Sequence, residues 1–132
     1  MTTFYSLDEA REFFKDDKFA TKNGVVLDEI DKDSCTCSLE ITNNHRNAYG
    51  AIMGGVIFTL ADFSFAVLSN QLHRPTVGQE VTIHYLSSSK GNKLFAHATC
   101  RKDGRTTSVI NVDITDELGK DIAWFVGTGF KL

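Results

Sequence analysis

The sequence predicts an α+β domain in which a curved antiparallel β-sheet wraps around one central buried α-helix, and three observations point there. The stretch Gly54 to Asn70 is a nearly all-apolar run that opens on two glycines and carries a single charge, Asp62. At ~1.5 Å per residue it makes a helix about 25 Å long, and apolar residues on all its faces require other elements around it. Before and after it lie segments with the period-2 alternation or β-branched composition of strands, separated by turn signals. A meander of antiparallel strands can bury such a helix only by curling about it.

Composition bounds the rest. The 132 residues are 42% hydrophobic with one Pro and no low-complexity tract, which predicts a single domain over 1–132 without a linker. Lys plus Arg total 14 against 17 Asp plus Glu, and the net charge of -3 argues against a general nucleic-acid binder. The central run contains an acid and falls short of the ~20 continuous apolar residues of a membrane span, so no membrane partner is expected. Met1-Thr2-Thr3-Phe4-Tyr5 lacks the basic-then-apolar layout of a signal peptide, which predicts a cytoplasmic protein. Cys35 and Cys37 alternate on a strand and Cys100 is remote, a pattern of small buried thiols rather than zinc or a disulfide framework. His45, His73, His84 and His97 have no ligand spacing, so no metal is expected.

The elements follow in order. Ser6-Leu7-Asp8-Glu9 is a capping box ahead of Ala10, Phe13 and Phe14, predicting an amphipathic helix to about Asp17 within an N-terminal helical cap over residues 1–22. Val25 to Ile30 has strand propensity, and Cys35, Cys37, Leu39 and Ile41 then alternate with polar residues as a second strand. Thr42 to Gly50 is polar and turn-rich, a loop that leads into the central helix, 54–70. Beyond it, Val77, Val81, Ile83 and Tyr85 mark a strand, and Ser87 to Asn92 turn into the next, Leu94 to Arg101. Lys102-Asp103-Gly104-Arg105 is a hairpin signal before Val109 to Ile114. Asp116 to Gly119 turns again, and Ile122 to Phe130 ends the chain with Gly127 and Gly129 where backbones approach closely. The layout is α-β-β-α-β-β-β-β.

These residues resemble the hotdog-fold thioesterases of the PaaI-like (phenylacetyl-CoA thioesterase) branch. The signature of that family places an Asn, a Gly and then His-Gly-Gly at the start of the hotdog helix, with Leu-Ala-Asp about two turns in. This chain has Asn47, Gly50, Met53-Gly54-Gly55 and Leu60-Ala61-Asp62 at that spacing, and Asn70 and Ile83-His84-Tyr85-Leu86 are similar too. The layout matches from about Val25 to Phe130. The resemblance implies an acyl-CoA thioesterase that hydrolyses an acyl- or aryl-CoA to free acid and CoA. It implies Asp62 as general base or nucleophile, the Gly55 backbone N–H as oxyanion donor, and Asn47 as the residue positioning the thioester or the attacking water. Candidate substrate contacts are Met53, Gly54, Thr59 and Phe65 on the helix, and Thr76 and Gly78 on the strand after it. Arg105 joins them because a guanidinium pairs well with the phosphates of coenzyme A; a solvated hairpin is the competing reading. No cofactor is implied beyond the coenzyme A of the substrate. The expected assembly is a homodimer that pairs again into a homotetramer.

Two positions depart from the family pattern. Met53 stands where the family has His, and Gly78 where related enzymes often carry Ser or Thr, with Thr76 a substitute for the missing hydroxyl. Methionine neither donates a proton nor holds a water firmly.

The chemistry follows from the residues as well. Thioester hydrolysis places negative charge on the carbonyl oxygen, and an unpaired N–H at a helix N-terminus is a preorganised donor for it. Gly54 and Gly55, without Cβ atoms, let a carbonyl approach the backbone. Burial of Asp62 in an apolar helix raises its pKa and makes it a better base. Against this stands Asp62 as a structural acid, with the glycines serving helix-to-sheet packing and Asn47 a turn residue. Phe58, Phe63 and Phe65 read as core before acyl pocket. Two other classes remain open: a non-catalytic acyl-CoA binder, favoured by Met53 and Gly78, and a hotdog hydratase, disfavoured because no His or Glu stands between Val56 and Asn70.

Overall fold

A computed structural model describes residues 2–132. The Ser6 hydroxyl caps helix α1 (Leu7–Phe14) by accepting the Glu9 N–H at 3.1 Å, and the Glu9 carboxylate reaches back to the Tyr5 N–H at 3.5 Å. The helix stops at Lys15, short of the expected Asp17. A second helix, α2 (Lys18–Lys22), starts after Asp17, so the cap is two helices with an acidic kink between them. Ala10 and Phe14 of α1 and Ala20 of α2 face the core. Phe14 meets Phe63 edge-on at 5.7 Å, tying the cap to the central helix.

Six strands form one antiparallel sheet: β1 (Val26–Ile30), β2 (Ser34–Glu40), β3 (Thr76–Tyr85), β4 (Lys93–Asp103), β5 (Thr107–Asp116) and β6 (Asp121–Lys131), in the order β1-β2-β4-β5-β6-β3. The alternation read from the sequence decides which side chains turn inward. Cys35, Cys37 and Leu39 of β2, Leu94, Ala96 and Ala98 of β4, and Ile110, Val112 and Ile114 of β5 are all buried, as is Phe125 of β6. They pack on Leu60, Ala61, Val67 and Leu68 of the central helix α3 (Gly54–Leu72), around which the sheet curls. At 19 residues α3 is ~28 Å long. Gly127 of β6 lets α3 come close: a Cβ there would lie 2.7 Å from two ring carbons of Phe65.

Within this chain the sheet and the cap do not enclose the helix on every side. Gly55 and Asp62 are exposed and Thr59 and Ala66 half-buried, at spacings of four, three and four residues, so they form one stripe along α3 away from the sheet. The N-terminal cap covers part of that side, and the rest is open. The sheet is open too. Its outer strand β3 is mostly solvent-facing, with Gly78, Gln79, Glu80, Thr82 and His84 exposed, and its outer edge has no strand partner among the described residues, the Asn70 side chain binding the backbone at Thr76 alone.

Candidate active site

The loop before α3 is built to deliver a helix N-terminus. Thr42 starts a 3-10 turn over Asn43–His45, regular structure inside a segment that its polar composition marks only as loop. His45 is 4% exposed; its Nδ1 accepts the Thr42 N–H at 2.9 Å, so Nε2 carries the proton and donates to the Asn23 carbonyl at 2.7 Å. The His45 carbonyl in turn accepts the Met53 N–H at 2.9 Å, linking the cap, the loop and the first residue before the helix. Asn47 closes the intervening turn: its Oδ1 accepts the Tyr49 and Ala51 N–H groups at 3.0 and 3.1 Å, and Gly50 adopts φ +81, a left-handed conformation that favours glycine. With Oδ1 committed, the Asn47 amide nitrogen is the atom left to point at a ligand.

Met53 is the N-cap of α3 and makes no side-chain capping bond, because a thioether is a poor acceptor. The Val56 and Ile57 N–H groups both reach the Met53 carbonyl, at 3.0 and 3.3 Å. Among the described residues nothing accepts the Gly54 and Gly55 N–H groups, and Gly55 is exposed. An orphan donor pair at the positive end of a helix dipole is an anion site. The Met53 methyl lies 2.8 Å from where a Gly55 Cβ would be, so residue 53 packs against Gly55. Tyr85, absent from the candidates drawn from sequence, completes the N-terminal end: its hydroxyl donates to the Gly54 carbonyl at 3.0 Å and its ring would touch a Cβ on Gly54 at 3.3 Å. Gly54, Ile52, Ile57, Tyr85 and Leu86 line a cleft of about 370 Å³ there.

Asp62 opens into a different cleft, of about 300 Å³, lined by Thr59, Asp62 and Phe63 of α3 and by Asp17, Lys18, Phe19 and Ala20 of the cap. Its pKa is raised, first by desolvation and second by the negative charge of Asp17. The direction is the one expected from sequence, although Asp62 is exposed at the helix surface and not buried inside it. Phe19 is 74% exposed and gives the cleft an apolar wall. Thr59 donates its hydroxyl to the Gly55 carbonyl, 2.8 Å away. The seven residues from Gly55 to Asp62 place the donor and the carboxylate about 10 Å apart along the axis at ~1.5 Å per residue.

The structure separates the other candidates from these two clefts. Thr76 lies beyond the C-terminal end of α3, buried, with its hydroxyl donated to the His73 carbonyl; in its own chain it cannot replace a hydroxyl beside Gly55. Gly78 is next to Phe65: a Cβ on it would lie 3.4 Å from the ring, and Phe65 is a core residue at 3% exposure, packed on Phe125. Arg105 is exposed in the β4–β5 hairpin. That hairpin adjoins Lys131, which pairs with Thr76, so Arg105 is at the Leu72 end of α3. Sequence reasoning singles out none of Asp17, Phe19 and Tyr85 as site residues. Tyr85 carries a signal, its place in the apolar register of the β3 alternation, but Asp17 carries none.

Residues 49–123 match the sequence model of the thioesterase superfamily. A putative esterase of Deinococcus radiodurans is 32% identical over 112 residues, 83% of this chain and 76% of that protein. The acyl-coenzyme A thioesterase PaaI of Escherichia coli is 27% identical over 124 residues, 93% of this chain and 89% of that one. The structure of the E. coli PaaI protein from the phenylacetic acid degradation operon superposes with a TM-score of 0.89 at 25% identity, over 95% of this chain and 91% of the other. A hypothetical thioesterase protein of Streptococcus pneumoniae, solved with coenzyme A, superposes with a TM-score of 0.81 at 27% identity, over 89% of this chain and 94% of that one.

Proposed function

The chain belongs to the thioesterase superfamily, and from that premise we propose that it hydrolyses acyl-CoA thioesters with Asp62 and the Gly55 N–H as its working groups. One observation carries the assignment to residues: the stripe on α3 that faces away from the sheet holds an uncommitted helix N-terminal donor and the helix's single carboxylate. Water and the thioester are the reactants, and the acid and the free thiol of coenzyme A are the products, so no further cofactor enters. Asp62 takes a proton from water as the water oxygen attacks the carbonyl, or attacks the carbonyl itself and is released by water in a second step. Either way the C–S bond breaks, the thiolate leaves and is protonated, and the oxyanion is held by the Gly55 N–H. The free thiols of Cys35, Cys37 and Cys100 agree with a cytoplasmic location.

A donor and a carboxylate about 10 Å apart cannot serve one carbonyl, since attack wants reacting atoms ~3–3.5 Å apart and the donor at ~2.7–3.1 Å. Two copies with their α3 helices antiparallel bring the Gly55 end of one opposite Asp62 of the other. The working unit is therefore a homodimer with two sites, each shared between protomers, and the free β3 edge extends the same contact. Two such dimers pair again into a tetramer.

The test is release of free thiol from a panel of short-acyl, long-acyl and aryl-CoAs by wild type and by Asp62→Ala. The wild type hydrolyses at least one substrate class, and Asp62→Ala loses ~10²–10⁴-fold or more in kcat. An Asp62→Ala variant with near wild-type kcat overturns the assignment. Binding of acyl-CoA without any turnover by the wild type favours the binder that Met53, in place of the family His, keeps open.

A further inference from the structure

The acidic kink between the two helices of the N-terminal cap adjoins the cleft of the carboxylate to which hydrolysis is assigned. Asp17 is the residue before α2, where an aspartate ordinarily turns an oxygen to the helix N–H groups, but its side chain makes no capping hydrogen bond. Among the described residues no hydrogen bond or ion pair engages its carboxylate; it lines the cleft that also holds Asp62. The walls of that cleft are Phe19, Phe63, Ala20 and Thr59, and Lys18 is the one cation among them. Among the described residues no ion pair joins Lys18 to either acid. Strands β2 to β6 pack on the other side of α3 and contribute nothing to this lining. Asp16, the neighbour of Asp17, acts on Asp17 in the same sense that Asp17 acts on Asp62.

We propose that Asp17 is a positioning residue of the hydrolytic site that acts through Asp62, by holding a second negative charge in the same small, apolar-walled cleft. This rests on the reading of Asp62 as base or nucleophile. Two carboxylates in one cleft disfavour each other's ionised form, and a carboxylate that binds its proton more tightly is the stronger base toward water. The cap is thereby part of the site: it brings the charge and the Phe19 wall from the same chain as Asp62, while the Gly55 donor comes from the other protomer. The raised pKa of Asp62, due first to desolvation and then to Asp17, agrees with this arrangement.

The experiment follows Asp62 itself. Its side-chain carboxyl carbon is titrated by ¹³C NMR in the wild type, Asp17→Asn and Asp17→Ser, and kcat/KM is measured against pH with the best acyl-CoA for the same proteins. Both substitutions keep a good N-cap residue, so α2 is preserved, and two different side chains guard against a local packing effect. The expected result is a downward shift of the Asp62 midpoint in both variants. The acid limb of kcat/KM moves down with it, and the plateau kcat falls while KM holds. An Asp62 midpoint unchanged in both variants overturns the role of Asp17, whatever happens to activity. Retained activity in Asp62→Asn overturns instead the reading on which the inference rests, and the two failures are told apart because the titration does not depend on turnover.

Discussion

At the scale of single residues, the role proposed for Asp62 comes at the expense of stability. Its pKa is raised in the folded chain, so the folded state binds a proton more tightly than the unfolded chain does. The ionised form therefore weighs against folding: stability falls as pH rises from the ordinary carboxylate range through the raised value, and stays lower above it. Asp62→Asn removes the charge. It is expected to abolish turnover yet raise the thermal midpoint at pH 7, with the difference vanishing at a pH where the wild-type carboxyl is protonated in both states. A thermal melt of both proteins at neutral and acid pH checks this, and an Asp62→Asn protein less stable than wild type at pH 7 sinks it. Met53 is the second residue whose role is local. Its methyl lies 2.8 Å from the place a Gly55 Cβ would take, beside the residue proposed as the oxyanion donor. Met53→His is expected to raise kcat/KM toward at least one acyl-CoA or to change the order of preference among them. A folded variant with an unaltered profile across the panel shows a site adapted to methionine.

At the scale of elements, β6 and α3 fit because glycine occurs where the helix presses hardest. A Cβ on Gly127 would meet Phe65 at 2.7 Å and Val81 at 3.1 Å, and Phe65 is confined by Phe125. Gly127→Ala is expected to destabilise the fold by ~1–3 kcal/mol through this overpacking. A urea midpoint equal to that of the wild type counts against the tight contact. The sequence marks this glycine, as it does the limits of most elements, since period-2 alternation and the Gly-Gly start of α3 are local patterns. It does not show the break of the cap at Asp16-Asp17, because a capping box specifies only where a helix begins. Nor can it show which face of α3 stays open: Val56, Phe58 and Ala66 are apolar whether or not anything covers them. Thr76 enters the candidate site through its nearness to Gly78 in sequence, but a ~28 Å helix separates it from Gly55. Asp17 is illegible for the opposite reason, being far from Asp62 in sequence and beside it in the fold.

At the scale of the whole molecule, the proposed dimer makes each chain the holder of two half-sites that it does not complete alone. The exposed stripe of α3 presents a donor at Gly55, next to the Gly54 cleft, and an acid at Asp62 in the cleft under the cap, with Thr59 between them. In the proposed dimer, a two-fold axis near Thr59 relates two such helices so that both pairs close at once. The consequence can be read from mixed dimers. Asp62→Ala removes the carboxylate from one chain, and Gly55→Pro removes the N–H from another; proline is tolerated in the first turn of a helix, where the missing N–H has no helical partner. Each variant alone is expected to be inactive, because every site in either homodimer carries one lesion. After subunit exchange, the mixed dimer combines the sound Gly55 of the first chain with the sound Asp62 of the second in one site, and gathers both lesions in the other. Activity should return to as much as half that of the wild type per dimer, in proportion to the heterodimer measured by native mass spectrometry. If donor and acid instead worked within one chain, each site of the mixed dimer would keep a lesion and no mixture would recover. Verified heterodimers without activity therefore dismiss the shared site and, with it, the antiparallel pairing of α3.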